Sequence, residues 1–308
     1  MKDTKFAYGP VPSRRLGISL GISPIPKKTC NYSCVYCQLG RTNHMTNTRQ
    51  MFFSVEEIMA EFNEVLRNDI NFDVVTIVGE GEPTLYLGLG ELIDEIKKKT
   101  DKPVAVITNG ALLYDFQLQQ ELSKADIVLP TMDAYDKESF NKINRPHGFL
   151  DFSKVSKGLE DFSKKYQGQL WVEIMLIKDM NDDDKSLNRY VEMLKTIKYD
   201  KLYINTPVRP PAELNIRAVS HERMNAAADI LGGISIDLLE SQGFHSEIKD
   251  DYQAVLSIIK RHPMNQFEVE SFLKSRVCEN IEELLIRLGK DDNVDAINYK
   301  GYDTYRLK

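Results

Sequence analysis

This sequence of 308 residues lacks long apolar runs, cysteines spread along the chain and an excess of basic residues. No apolar run reaches the ~20 residues that a transmembrane helix needs. The amino-terminal residues carry charges with no apolar stretch after them, which argues against a secretory signal and for a cytoplasmic protein. Because 42% of the residues are hydrophobic and 28% are charged, we expect a folded globular protein without a membrane span.

Net charge and cysteine content narrow the class of protein further. A net charge of −6 speaks against a strongly basic surface, so charge does not imply binding to DNA or RNA. Only four cysteines are present, and three of them lie between Cys30 and Cys37. A disulfide framework would need cysteines distributed over the fold, and a reducing cytoplasm would not maintain it. Metal binding explains this grouping better.

Apolar, β-branched runs alternate with helical patterns along most of the chain. The predicted strands are Leu16 to Ile22, Asp73 to Val78, Val104 to Ile107, Ile127 to Leu129, Leu170 to Ile177 and Lys201 to Asn205. The predicted helices are Ser54 to Leu66, Leu89 to Lys98, Phe116 to Ser123, Leu150 to Lys165, Lys185 to Lys198 and His221 to Leu231. This alternation predicts an α/β fold with a parallel sheet and right-handed crossovers. Six units are fewer than a full eightfold barrel needs, so we expect a partial (β/α)6 TIM-like barrel.

The pattern changes after about Asp250, which predicts a barrel domain over residues 1–245 and a second domain over 250–308. The elements predicted there are helices Tyr252 to Arg261, Gln266 to Leu273 and Ile281 to Leu288, followed by strands Val294 to Tyr299 and Thr304 to Leu307. Three short helices and a two-stranded hairpin indicate a small winged-helix domain.

Cys30, Cys34 and Cys37 are spaced C-x3-C-x2-C in a loop after the first predicted strand. Three thiolates at this spacing can bind three irons of a [4Fe-4S] cubane and leave the fourth iron without a protein ligand. A structural zinc site is the alternative, but zinc prefers four protein ligands. The remaining cysteine, Cys278, lies in the other predicted domain, and His44 is at no recognisable zinc spacing.

The sequence C-x3-C-x-Tyr-Cys resembles the signature of the radical S-adenosylmethionine superfamily. The resemblance implies that the cofactor's amino and carboxylate groups bind the open iron, and that reductive cleavage yields a 5′-deoxyadenosyl radical. A second motif, Gly79 to Thr84, is similar to the superfamily's Gly-Gly-Glu-Pro segment, which binds the cofactor's amino group. Glu82 and Pro83 match it, and Gly81 allows a close backbone approach. An ordinary strand-to-helix turn is the alternative for this segment.

Further cofactor contacts are implied at the ends of the next two strands. Thr108 and Asn109 follow the third strand and Asp133 follows the fourth, and they resemble residues that contact the ribose and carboxylate of the cofactor. Helix capping or turn formation would also explain them. Tyr36, between the cysteines, is positioned to stack on the adenine, with plain loop packing as the alternative.

A narrower resemblance points to the branch near the wyosine-base synthases of transfer RNA. It rests on the segment Gly9 to Gly17, on the Gly-Glu-Gly-Glu-Pro-Thr form of the second motif, and on Asn205 to Pro211, within the first ~240 residues. Wyosine synthases carry a second cluster on additional upstream cysteines, whereas no cysteine precedes Cys30 in this sequence. We therefore do not transfer their pyruvate chemistry.

Basic residues near the predicted strand ends are candidates for holding an anionic substrate, since guanidinium groups bind phosphate and carboxylate well. The candidates are Arg14, Arg15, Arg145, His147 and Arg209. Prolines on both sides fix the loop of Arg209 and make it the preferred one. Surface solvation or a structural ion pair is the alternative for each.

Three functions remain open at this point. The first is a radical enzyme that modifies transfer RNA, and the second is one that acts on a small metabolite, a peptide or a protein. Both need an electron donor such as flavodoxin or ferredoxin. The third, a cluster-containing regulator that binds DNA, is disfavoured because Glu279, Glu282 and Glu283 on the expected recognition helix repel phosphates. Cys278 is expected to be a small buried residue, with a redox or substrate-linking role as the alternative.

Overall fold

A computed structural model describes residues 5–68, 70–236, 244, 246 and 248–308. Its strands are β1 (Ala7–Ser13), β2 (Gly17–Ile22), β3 (Thr29–Cys30), β4 (His44–Met45), β5 (Val74–Ile77), β6 (Val104–Thr108), β7 (Ile127–Pro130), β8 (Gln169–Met175), β9 (Lys201–Asn205), β10 (Ile234–Ser235), β11 (Met264–Asn265), β12 (Val294–Tyr299) and β13 (Tyr302–Leu307). Its helices are α1 (Val55–Leu66), α2 (Leu89–Lys97), α3 (Phe116–Leu122), α4 (Lys137–Ile143), α5 (Phe152–Lys165), α6 (Asp184–Leu194), α7 (His221–Leu231), α8 (Asp251–Ile259), α9 (Gln266–Ser275) and α10 (Ile281–Lys290).

The main sheet of the described residues has the order β1-β2-β5-β6-β7-β8-β9-β10. All strands from β2 to β10 run parallel, and β1 pairs with β2 antiparallel. The predicted α/β class is confirmed, and the mostly parallel sheet agrees with a partial barrel. The carboxyl ends of the parallel strands lie at one edge of the sheet, where loops from several strands meet.

Helices pack on the outer face of this sheet and bury most of the core. The apolar face of α1 includes Ile58 and Phe62, which are fully buried, and α2 contributes Leu92 and Ile93. A smaller apolar cluster around Trp171 and the neighbouring strands fills the opposite face. No helix in the described part of the chain is long and apolar enough to cross a membrane.

Strands β3 and β4, which pair with each other apart from the main sheet, were not predicted, and neither were three elements of the main sheet and its helices. Strand β1 contains Pro10 and Pro12, which normally argue against a strand but are tolerated because β1 is the edge of the sheet. Strand β10 is only two residues long. Helix α4 has a capping box at Asp136 and Ser139 but spans only seven residues, too few for a clear helical period.

The carboxyl-terminal unit, residues 248–308, has its own apolar core and a three-stranded sheet in the order β11-β13-β12. The predicted helices and hairpin are present, and β11 is an addition to them. The end of the first predicted domain, at 245, lies outside the described residues.

This carboxyl-terminal unit contacts both ends of the open main sheet. Arg261, after α8, donates to the carbonyl oxygen of Lys5 at 2.6 Å, just before β1. At the other end, the Tyr299 hydroxyl donates to the carbonyl oxygen of Pro207 at 2.8 Å, just after β9. The unit therefore bridges the first and last parts of the partial barrel.

Candidate active site

The cysteine loop, defined as residues 30–37, begins at β3 and lies along the segment that follows α4. The backbone N–H groups of Ser33 and Val35 donate to the carbonyl oxygens of Asn144 and Ile143, both at 3.0 Å, and His147 N–H donates to the carbonyl oxygen of Asn31 at 2.8 Å. These bonds fix the backbone on which all three cysteines are carried.

Each of the first two cysteines faces an amide side chain. The Nδ2 atom of Asn109 lies 3.6 Å from the sulfur of Cys30, and the Nδ2 atom of Asn144 lies 3.6 Å from the sulfur of Cys34. Tyr32 N–H also donates to the Cys30 sulfur, at 3.4 Å. Donors of this kind stabilise negative charge on sulfur, as thiolates bound to iron require.

The electrostatics of the cysteine loop favour a positively charged occupant. Burial raises the pKa of the Cys30, Cys34 and Cys37 thiols. The carboxyl groups of Glu82 and Asp133 raise the pKa of Cys30 and Cys34, respectively, further. Among the described residues, no three Cys, His, Asp or Glu side chains are grouped to hold a single metal ion. A cubane binds each thiolate through a different iron, and three half-buried sulfur donors, two of them beside amide side chains, fit that group.

The segment 79–83 packs directly against the start of the cysteine loop. A Cβ atom on Gly81 would lie 1.9 Å from the carbonyl oxygen of Thr29, so only glycine fits here. The Glu82 carboxylate accepts from Thr84 N–H at 2.9 Å, from the Thr108 hydroxyl at 2.7 Å and from Asn109 N–H at 2.7 Å. Glu82 therefore joins the segment after β5 to the end of β6, beside Cys30.

Asp133 connects the end of β7 to the cysteine loop. Its carboxylate accepts from the hydroxyl of Tyr36, from Asn144 Nδ2 at 3.0 Å and from Met175 N–H at 3.1 Å. Burial raises the pKa of this carboxyl group. The structure thus brings the predicted cofactor residues together around one loop, and it uses the Tyr36 hydroxyl to hold Asp133.

The Radical SAM superfamily profile matches residues 25–191, which include the cysteine loop, the segment 79–83, Asn109 and Asp133. The chain belongs to the radical SAM superfamily. It is therefore an enzyme, and its cofactors are a [4Fe-4S] cluster and S-adenosylmethionine. This confirms the resemblance that the sequence motifs indicated, and it sets aside the DNA-binding regulator.

Relatives extend this match over most of the chain. The UPF0026 protein MJ1312 of Methanocaldococcus jannaschii is 35% identical over 297 residues, 92% of this chain and 91% of that protein. A Brachyspira hyodysenteriae protein named GTPase Obg is 42% identical over 224 residues, 73% of this chain but 33% of that protein. Because the chain spans only a third of that relative, the activity in its name is not transferred.

Among solved structures, TYW1 with a lysine-pyruvate adduct bound has a TM-score of 0.50 at 21% identity, covering 72% of this chain and 74% of that one. At this identity the likeness concerns the fold.

Three of the five predicted substrate contacts of this radical SAM enzyme line one cavity. Arg14, Arg15 and Arg209 surround a space of about 220 Å³ that also touches Gly79 and Gln38, next to Cys37. This cavity is therefore adjacent to the cysteine loop and to the predicted cofactor segment.

Arg145 and His147 do not line that cavity. Arg145 lies on the exposed side of the cysteine loop, where it pairs with Glu213 at 2.5 Å, and Arg41 pairs with the same carboxylate at 2.9 Å. The backbone of His147 supports Asn31. Neither residue lines the cavity, and their role in substrate binding stays a prediction.

Sequence reasoning missed four residues of this region: Asn144, Glu80, Arg261 and His262. Asn144 contacts a cysteine 110 positions away, and no local pattern marks it. Glu80 lies inside the second motif, but the resemblance assigns roles only to Gly81, Glu82 and Pro83. Arg261 and His262 belong to the carboxyl-terminal unit, and no sequence pattern indicates that this unit lines a cavity of the barrel.

Proposed function

We propose that Cys30, Cys34 and Cys37 bind the [4Fe-4S] cluster of this radical SAM enzyme and that S-adenosylmethionine lies between segment 79–83 and Asp133. The single observation that carries this proposal is the convergence on the cysteine loop of side chains from the ends of β5, β6 and β7. Such convergence at the carboxyl ends of parallel strands is where α/β folds place their chemistry.

Individual residues have distinct roles in this proposal. Asn109 and Asn144 donate to the sulfur atoms of the ligands Cys30 and Cys34, respectively. The Oε1 atom of Glu82 accepts three hydrogen bonds, and Oε2 accepts one, from Asn109 N–H. A carboxylate oxygen has two lone pairs, so Oε2 retains one for the cofactor's ammonium group. When bound, the two cofactors supply one-electron cleavage of the sulfonium, which yields methionine and a 5′-deoxyadenosyl radical that removes a hydrogen atom from the substrate.

Radical SAM enzymes need a reductant, and we propose a flavodoxin or ferredoxin for this one. We also propose that residues 250–308 form a winged-helix module, which the order helix, strand, helix, helix, strand, strand supports. Its glutamates Glu282 and Glu283 lie in the first turn of α10, a position that disfavours contact with phosphates.

For the substrate we propose a small molecule, because the cavity of about 220 Å³ beside the cysteine loop is of that size. A transfer RNA is the second candidate, since the segments that resemble wyosine-base synthases supply Val11, Arg14, Arg15, Asn205 and Arg209 to the same cavity. Nucleoside analysis of a deletion strain separates the two, because only the second predicts a missing modification.

Cofactor cleavage tests the proposed function. We expect the protein reconstituted with iron and sulfide without oxygen, then given dithionite and S-adenosylmethionine, to form 5′-deoxyadenosine. Cys34→Ala removes one thiolate and should abolish both cluster binding and product, whereas Cys278→Ala, far from the loop in sequence, should retain both. Equal yields from the two variants would overturn the assignment.

A further inference from the structure

The basic residues that line the cavity next to the cysteine loop come from three separate parts of the chain. The turn between β1 and β2 contributes Arg14 and Arg15, the segment after β9 contributes Arg209, and the carboxyl-terminal unit contributes Arg261 and His262. The carboxyl-terminal unit is thus part of this wall as well as a bridge between the ends of the sheet.

Two of the arginines that line the cavity have a carboxylate partner outside its lining. Arg15 is paired with Glu173, and Arg209 is paired with Glu268 at 3.0 Å, but neither carboxylate belongs to the cavity lining. Among the residues of the lining that the structure describes, the charged ones are four arginines and one glutamate, Glu80. Guanidinium groups in such an arrangement bind phosphate and carboxylate with paired hydrogen bonds.

His262 also lines the cavity, and its ring leaves the charge of the arginines unchanged. Burial lowers its pKa well below the usual value, and Arg209 and Arg14 lower it further, so the ring is neutral. The Arg209 guanidinium lies 2.7 Å from Nε2 and always donates, so Nε2 is the acceptor and Nδ1 carries the proton.

Glu80 supplies a second, independent sign of a ligand. Its side chain is 8% exposed, and Oε2 pairs with Arg261 at 3.3 Å. The other oxygen, Oε1, is buried and accepts no hydrogen bond from the described residues. A buried carboxylate oxygen without a donor costs free energy, so a hydroxyl, amide or amino group of a ligand would stabilise it.

We propose that this cavity binds a small substrate with a phosphate or carboxylate group held by the arginines and a hydrogen-bond donor directed at Glu80. This inference rests on the proposed function and names the substrate class for the same site. It also assigns the carboxyl-terminal unit a part of the active site, because Arg261 and His262 complete the arginine side of the cavity.

Anion binding to the anaerobic holoenzyme tests this proposal, measured by equilibrium dialysis with labelled inorganic phosphate and, separately, with succinate. We expect one anion per chain, both without and with saturating S-adenosylmethionine. Arg14→Gln should weaken binding about tenfold, the loss expected for one charge-assisted hydrogen bond. Glu80→Gln should tighten it, because a negative charge leaves the lining. Arg217→Gln is the matched control, since Arg217 is 67% exposed and pairs with Asp179 outside the cavity.

Binding of phosphate alone or of succinate alone identifies the acidic group and supports the proposal. It is overturned if neither anion binds, if Arg14→Gln behaves like Arg217→Gln while both variants remain folded by circular dichroism, or if saturating cofactor displaces the anion. In the last case the arginines hold the cofactor's own carboxylate. Failure of the proposed function is distinguishable, because it removes 5′-deoxyadenosine formation and leaves anion binding intact.

Discussion

At the scale of single residues, two amide side chains face the sulfur atoms of the proposed cluster ligands. Asn144 contacts both Cys34 and Asp133, so it links a ligand sulfur to the network that fixes the end of β7. Hydrogen bonds to cluster sulfurs stabilise the extra electron of the reduced state and thereby raise the reduction potential.

We predict that Asn144→Ala lowers the midpoint potential of the cluster. A neutral hydrogen bond is worth about 0.5–1.5 kcal/mol, which corresponds to about 20–60 mV for one electron. A redox titration followed by electron paramagnetic resonance measures the shift, with Asn188→Ala on the exposed side of α6 as the control. An unchanged potential in Asn144→Ala, or the same shift in the control, would contradict this role.

The three cysteines could be predicted as cluster ligands because they lie close together in the sequence. Their spacing alone restricts the metal groups that they can bind. Asn144 could not be predicted, because its contact with Cys34 depends on how α4 is placed against a loop 110 positions earlier. Glu80 was overlooked for another reason: its importance lies in an unused buried oxygen, which no sequence pattern displays.

At the scale of elements, the segment 79–83 and the cysteine loop are held together by backbone contacts. Glu82 N–H donates to the carbonyl oxygen of Thr29 at 3.0 Å, and Lys28 N–H donates to that of Glu80 at 2.5 Å. The sequence predicts a close backbone approach at Gly81, and in the structure the backbone of Thr29 lies against this glycine.

Gly81→Ala should therefore destabilise the fold by about 1–3 kcal/mol, the usual cost of overpacking, and should reduce iron loading of the reconstituted protein. Gly148→Ala is the matched control, because nothing lies within 4 Å of the added Cβ. Chemical denaturation and iron analysis of both variants provide the comparison. If Gly81→Ala is as stable and as well loaded as Gly148→Ala, the close packing of these two elements is wrong.

Strands β2 and β5 to β9 were predicted because each is a largely buried apolar run, which is the strongest sequence signal for a strand in an α/β chain. The hairpin of β1 and β2 was not predicted, because Pro10 and Pro12 in β1 have low strand propensity. That omission matters for function, because the turn of this hairpin carries Arg14 and Arg15 into the cavity.

At the scale of the whole molecule, the carboxyl-terminal unit and the barrel share a partly buried ion pair. Arg209 and Glu268 have side chains that are 11% and 15% exposed, and Arg209 also donates to the carbonyl oxygen of Pro263. The sequence predicted both units from their separate patterns. Their docking was not predictable, since it depends on pairing between residues far apart in the chain.

A double-mutant cycle of Arg209→Met and Glu268→Gln should give a coupling of about 1–3 kcal/mol in the free energy of unfolding. The exposed pair Arg217 and Asp179, with both side chains 67% exposed, should give less than about 0.5 kcal/mol. Urea denaturation of each set of variants measures both couplings. A negligible coupling for the first pair would mean that the two units are not docked through it.

The central claim is that three cysteines leave one iron of the cluster free for the cofactor. Electron-nuclear double resonance on the reduced enzyme with S-adenosylmethionine carrying a nitrogen-15 amino group tests it most directly. We predict a nitrogen coupling to the cluster in the unmodified enzyme and in Cys278→Ala. A preparation containing zinc in place of iron, or a cluster without that coupling, would contradict the account.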